Sequence, residues 1–390
     1  MLASAGRYHG LNIGFADVSL RRNFVFAPSP IYLICLDRCA PCALRFLPLA
    51  DFFSVSLAPT PATAAAWAPV VPIPPARNTD LSAKPVSPKS TSSFAKTRSR
   101  SAPRRAPEST GVVRVAAIQM ASGPNVAANL EEAARLIAMA AEAGAKLVAL
   151  PEYFAIMGLK DTDKVKLREQ AGKGPIQGFL AAQAKKHGIW LVGGSVPLDC
   201  GNPKKVYNSC LVYNERGRLV ARYDKIHLFG LSLGTEQYRE EATIMPGNRI
   251  VVVETPFGRM GLSICYDLRF PELYRAMGDV DLILVPSAFT ATTGKAHFET
   301  LIRARAIENL AYVIAPAQGG YHLSGRETHG DTMIVDPWGN VLDRLPRGSG
   351  VVTAGINRTY QEGLRQSLPA LRHRTLNCGN ADLVEVVKAV

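Results

Sequence analysis

The sequence predicts an α/β domain built on a large, mostly buried mixed sheet, and three observations carry that expectation. From about Val112 onward, short apolar runs alternate with stretches of helical periodicity. Runs such as Leu147-Val148-Ala149-Leu150 and Leu282-Ile283-Leu284-Val285 are apolar at every position, the pattern of strands covered on both faces. Hairpin turn signals, among them Asn214-Glu215-Arg216-Gly217, are interspersed, so the strands are not all parallel.

Taken in order, Val113–Ile118 is the first strand. A helix follows with Leu130, Ala133, Ala134, Ile137 and Ala141 on one face and Gly144 as its stop. Strand Lys146–Leu150 ends in Pro151-Glu152. A second helix covers about Ile176–Lys186 and a strand Ile189–Gly193. Strands Ser209–Tyr213 and Leu219–Tyr223 flank the hairpin turn. Ile250–Val253 and the turn Thr255–Gly258 lead into a buried strand, Met260–Ile264, that ends at Cys265; Pro271 suits the first turn of the next helix. Strand Leu282–Val285, a helix from about Lys295 to Asn309, and strands Ala311–Ala315, Thr332–Val335 and Asn340–Asp343 complete the series.

Composition divides the chain. Of 27 prolines, 14 lie in residues 1–110, with Ala, Ser and Thr between them, a composition that resists a packed core. The expected domains are therefore an extension over 1–110, a folded domain over 111–377 and a C-terminal tail over 378–390. Residues 1–110 carry 13 Lys/Arg against 5 Asp/Glu, so most of the net charge of +13 sits there and the folded part is only mildly basic. No basic cluster interleaved with aromatics supports nucleic-acid binding. The longest uncharged run, Phe52–Ala76, holds six prolines and is no clean membrane helix. The extension is read as a transit peptide, a disordered tail or translated sequence upstream of the real start. The seven cysteines (35, 39, 42, 200, 210, 265 and 378) follow no disulfide spacing, which suits a reduced, cytoplasmic setting. Neither they nor the seven histidines form a metal-ligand pattern.

Three strand ends each present a reactive group: Glu152, Lys225 in YDKIHLF, and Cys265 in GLSICYDLRFPE. Strand ends of an α/β sheet converge on one crevice. A thiol on a strand-to-helix turn, near a partly positive helix N-terminus, favours the nucleophilic thiolate; the plain alternative is a small buried hydrophobe. A nucleophile needs a base and an oxyanion partner, and Glu and Lys supply these. Tyr153, Tyr266, Arg269 and Phe270 lie beside these motifs as candidate substrate contacts, Arg269 and Glu272 equally as structural partners. Cys210, and Arg303 and Arg305 on their helix, are read as packing residues.

PEYF, YDKIHLF and GLSICYDLRFPELYRAMGD, in that order and spacing, closely resemble the nitrilase superfamily of carbon–nitrogen hydrolases over about Val112–Leu376. The later segments PSAFTATTGKAHFETLIRARAIEN, AQGG and VDPWGN fit the same family. YRE (238–240) and SLPALRHRTL resemble its deaminated-glutathione amidase and ω-amidase branch. The resemblance implies a four-layer α-β-β-α sandwich that forms a homodimer or higher oligomer. It implies Cys265 as nucleophile, Glu152 as general base, Lys225 as oxyanion stabiliser with the Tyr266 N–H, and Glu240 as a second glutamate, with Glu241 competing for that place. No cofactor or metal is implied. Asp331, in THGDTM, stands where the resemblance expects His. The expected reaction is hydrolysis of a small carboxylate-bearing amide to acid and ammonia, with deaminated glutathione as substrate. An ω-amide, a nitrile or an N-carbamoyl compound are alternatives, as are a non-catalytic partner-binding scaffold and a redox-sensing thiol.

Overall fold

The computed structural model describes residues 111–234, 236–376 and 383–390. The extension expected over 1–110, with Cys35, Cys39 and Cys42, and Cys378 lie outside the described residues. In chain order the elements are β1 (Val113–Gln119), α1 (Val126–Glu142), β2 (Leu147–Ala149), α2 (Asp163–Lys166), α3 (Pro175–His187), β3 (Trp190–Val192) and β4 (Val196–Asp199). The hairpin β5 (Val206–Tyr213) and β6 (Leu219–Asp224) precedes a small hairpin, β7 (Gly230–Leu233) and β8 (Glu236–Arg239). Next come β9 (Ile250–Thr255), β10 (Gly258–Leu262), α4 (Pro271–Ala276), β11 (Leu282–Leu284), α5 (Ala291–Asn309) and β12 (Tyr312–Ala315). The chain continues with β13 (Gly319–Tyr321), β14 (Glu327–His329), β15 (Thr332–Val335), β16 (Val341–Leu345), β17 (Gly350–Ile356), α6 (Arg358–Ser367) and β18 (Val384–Lys388).

Two seven-stranded mixed sheets form the centre, one ordered β17-β1-β2-β3-β5-β4 with β6 also paired to β5, the other β16-β15-β12-β11-β10-β9-β18. They pack face to face, and the period-two geometry of a strand explains how. Val115 and Ala117 of β1 point into the core between the sheets, with Met260 and Leu262 of β10 and Ile314 of β12. Ala116 and Ile118 point the other way, onto Leu136 and Ile137 of α1 and Leu180 of α3. Helix α5 covers the second sheet at β12 and β15. The layers run helix, sheet, sheet, helix, the four-layer sandwich expected, and both strand faces are buried, which is why these runs carry no polar alternation.

Three of the helices are bounded by local chemistry. The Asn125 side chain caps α1, Thr290 caps α5, and Gly188 closes α3 in the left-handed conformation. The face α1 buries is Asn129, Ala133, Leu136, Ile137 and Ala140, turned about one position from the expected stripe. Ala134 and Ala141 are only half-buried, while Asn129 is buried and hydrogen-bonds Gly123 and Ala155. The tail expected over 378–390 contains β18, which pairs in parallel with β9 from Val384↔Ile250 to Lys388↔Glu254. Its register continues the second sheet, because Val384 and Val387 pack on the inter-sheet core.

Candidate active site

Glu152 follows β2, Lys225 follows β6 and Cys265 follows β10, so one crevice draws on the strand ends of both sheets. Glu152 is placed by a tight loop. Tyr153 sits at φ 56° with its N–H donating to Ser195 Oγ at 2.9 Å, and Gly194, at φ 53°, leaves no room for a Cβ against the Pro151 carbonyl. Asn208, on the neighbouring β5, donates from Nδ2 to Glu152 Oε1 at 2.9 Å and accepts the Lys225 N–H through its carbonyl at 3.0 Å. The other carboxylate oxygen, Glu152 Oε2, is buried without a hydrogen-bond partner among the described residues.

Lys225 is fully buried, and its ammonium meets two carboxylates: Glu152 Oε1 at 2.9 Å, Glu240 Oε2 at 2.8 Å and Glu240 Oε1 at 3.0 Å. Burial alone would push the lysine toward neutrality. The charges of Glu152 and Glu240 outweigh it and hold the ammonium well above the usual lysine range. Glu240 starts a short 3₁₀ turn (Glu240–Ala242) after β8 and also accepts from Phe229 N–H at 2.7 Å and from the Tyr153 hydroxyl at 2.9 Å. Burial raises its carboxyl, but Lys225 and the Phe229 N–H bring it below the usual range. Glu241, the competing candidate, is exposed and pairs with Arg239 at the surface.

Cys265 opens a 3₁₀ turn, Cys265–Arg269, at φ 50°, a conformation unusual for a side chain with a Cβ. The turn is over-determined. Cys265 N–H donates to Pro286 O at 2.9 Å, and buried Asp267 accepts from Ile264 N–H, Tyr223 OH and both the backbone N–H and ring of His227. Arg305 grips the carbonyl of Leu268 with two donors, the packing role its helix suggests. The favoured thiolate expected from the helix N-terminus is not what this environment produces. Burial first, then the negative charge of Glu152, push the thiol well above its ordinary value, against the smaller pull of Lys225 and the Ala288 N–H, 3.5 Å from Sγ. Burial is the larger cause, because it penalises the charged thiolate, and the Glu152 carboxylate adds to it. Cys210 lies in the core between the sheets, its thiol pushed up to about 12 by burial.

A narrow cleft with about 10 Å³ of free volume, room for about one water, opens beside Sγ, walled by Phe229, Tyr266, Phe289 and Arg326 together with Glu240 and Cys265. Tyr153 instead lines an adjoining outer depression of about 390 Å³, which also has Lys164, Tyr238 and Arg326 in its wall. Arg269 lies over the rings of Tyr266 and Phe289 at 5.7 and 5.5 Å. Phe270 stacks on His227 at 3.8 Å and supports the wall from behind rather than lining either space. Asn208, Asp267, Lys164 and Arg326 were not singled out from sequence. An Asn inside the apolar run VYNSCLVY is one legible signal, and Asp267 lies within the GLSICYDLRFPE segment; Lys164 and Arg326 come from a short helix and a turn without a motif. Among the described residues no group of three His, Cys, Asp or Glu side chains is arranged to hold a metal.

The profile of the carbon–nitrogen hydrolase family matches residues 114–366, which spans every group above. The chain belongs to the carbon–nitrogen hydrolase family. This hydrolase is 43% identical to the deaminated glutathione amidase of Synechocystis sp. over 265 residues, 66% of this chain and 97% of that protein. Among solved structures it resembles Saccharomyces cerevisiae Nit3, a member of branch 10 of the nitrilase superfamily (TM-score 0.61, 32% identity, 68% of this chain and 97% of that one). It also resembles the amidase from Nesterenkonia sp. AN1, in a structure showing Michael addition of acrylamide at the active site cysteine (TM-score 0.54, 26% identity, 66% of this chain and 98% of that one). The enzyme is a nitrilase-superfamily hydrolase of carbon–nitrogen bonds.

Proposed function

We propose that this hydrolase is a thiol amidase acting on deaminated glutathione, with Cys265 as nucleophile, Glu152 as general base and acid, and Lys225 as oxyanion stabiliser. The single observation that carries the mechanism is the asymmetry of Glu152. One oxygen is fixed by Lys225 and Asn208, and the other is buried and has no hydrogen-bond partner among the described residues. As the amide binds, that oxygen takes the thiol proton while sulfur attacks the carbonyl carbon. The negative charge moves to the amide oxygen, where Lys225 and the N–H of Tyr266 meet it. Because all the Lys225 contacts here go to carboxylates, the oxyanion replaces one of the two from Glu240, which stays ionised and keeps the lysine charged. Glu152 then passes its proton to the leaving amine and the C–N bond breaks, leaving a thioester. Water, deprotonated by Glu152, hydrolyses it and returns the thiol. With this substrate the leaving amine is that of cysteinylglycine and the acid is 2-oxoglutarate; ammonia leaves only from a primary amide.

The substrate assignment rests on the 43% identity to a protein of that name across 97% of its length. A homodimer working in the cytoplasm is part of the same proposal. Release of 2-oxoglutarate from deaminated glutathione, followed by a coupled dehydrogenase, tests it. The wild type should turn over steadily, Cys265→Ala should be silent, and Lys225→Ala should lose about 100-fold or more in turnover. A wild type inactive on this compound but active on simple nitriles would overturn the substrate assignment.

A further inference from the structure

Arg326 occupies a place that the chemistry above does not use. It lies on the turn between β13 and β14 and borders both the cavity at Cys265 and the outer depression. Its Nη2 donates to the carbonyl of Ala288 at 2.7 Å, and the N–H of that same residue faces the Cys265 sulfur. Thiol and guanidinium therefore flank a single residue. The guanidinium also lies 5.2 Å from the centre of the Tyr238 ring, while its Nε is buried with no hydrogen-bond partner.

Cations taken out of water are normally paired. Arg305 and Arg365, with little exposed surface, each have a carboxylate within 4.0 Å, but among the described residues half-buried Arg326, like Arg259 and Arg269, has none. Nearby Lys164, on α2, has a side chain 13% exposed that rests 5.2 Å from the Tyr153 ring centre; its one carboxylate is the exposed Asp161 at 3.7 Å. Burial pushes the Lys164 ammonium down, with Asp161 opposing. Two acidic groups share the outer wall, Asp161 and Glu236, the latter accepting from Thr292 at 2.6 Å. In the inner cavity the one acidic group, Glu240, is fully engaged by Lys225, Tyr153 and Phe229. An anion reaching that cavity would find Arg326 as its unpaired cation, and the planar fork of arginine suits a carboxylate.

We infer that Arg326 binds the far carboxylate of the acyl half of the substrate, placing a short dicarboxylic acyl chain between itself and Cys265, with Lys164 adding positive charge at the mouth. This rests on the amidase reading above and specifies what that site selects. The test compares two probes, the ω-amide of 2-oxoglutaric acid and its methyl ester, in the wild type, Arg326→Gln, Arg326→Lys and Lys164→Gln. The wild type should prefer the free carboxylate. Arg326→Gln should cut kcat/KM for it by about 100-fold, mainly through KM, and leave the ester little changed. Arg326→Lys should recover part of the preference and Lys164→Gln should lose a few-fold at most. If Arg326→Gln lowers both probes equally, or neither, the residue is a support for Ala288 and the inference is wrong. A wild type that ignores deaminated glutathione, yet shows an Arg326-dependent preference between the probes, would sink the substrate assignment and leave this inference standing.

Discussion

At Cys265, burial and Glu152 act on the thiol in one direction and Lys225 in the other, and the first two win. A resting thiol fits an enzyme in which the substrate completes the circuit, since the proton moves to Glu152 only as charge moves to the amide oxygen. The sign has a measurable consequence. A thiol whose pKa is raised in the folded enzyme reacts only in proportion to its small thiolate fraction, which grows about tenfold per pH unit below the pKa. Modification of Cys265 by methyl methanethiosulfonate should be slow at pH 7 and still rising at pH 9. A rate that levels off near neutrality would mean a thiolate at rest and a different order of proton transfers.

The elements that hold the site depend on buried polar pairs, and Asp331 shows the pattern. It stands at φ 64° before β15, nearly buried, with both oxygens on Arg344 at 2.8 and 2.7 Å. Burial raises its carboxyl, but the bonds from His329 and Arg344 bring it below the usual range. A carboxyl depressed in the folded state stabilises above its unfolded pKa of about 3.9, and that contribution is lost as pH falls through the lower folded value. Asn tolerates the same backbone. Asp331→Asn should thus cost about 1–2 kcal/mol near pH 7, and the gap in stability to the wild type should close toward pH 3. A gap that does not change with pH would assign the cost to packing. The same physics explains what the sequence revealed. Strands buried on both faces, such as β2, β11 and β12, are plain in the apolar runs, and the three strand-end groups follow from them. Strand β4 was missed because Pro197 interrupts it, and the β7–β8 hairpin because its pattern is exposed and uneven. Arg326 reaches the site from a turn and Lys164 from the short helix α2, far apart in the chain, and no local pattern announces which segment folds over which strand end.

At the scale of the whole molecule, the chemistry needs both sheets: the Glu–Lys pair comes from one and the thiol from the other. All of these groups lie between Glu152 and Arg326, inside the 114–366 family match. A chain starting near Thr110 should therefore keep full turnover and the same oligomeric state. Loss of either, while the full chain works, would show that the extension packs on the domain. The central claim is that one thiol carries the acyl group while Glu152 handles every proton. Rapid acid quench of the wild type with deaminated glutathione, followed by peptide mass mapping, tests it most directly. The account predicts one 2-oxoglutaryl thioester, confined to the peptide containing Cys265 and decaying as 2-oxoglutarate appears. Steady turnover with that peptide never acylated, or the acyl group found on Cys200 or Cys210, would contradict it.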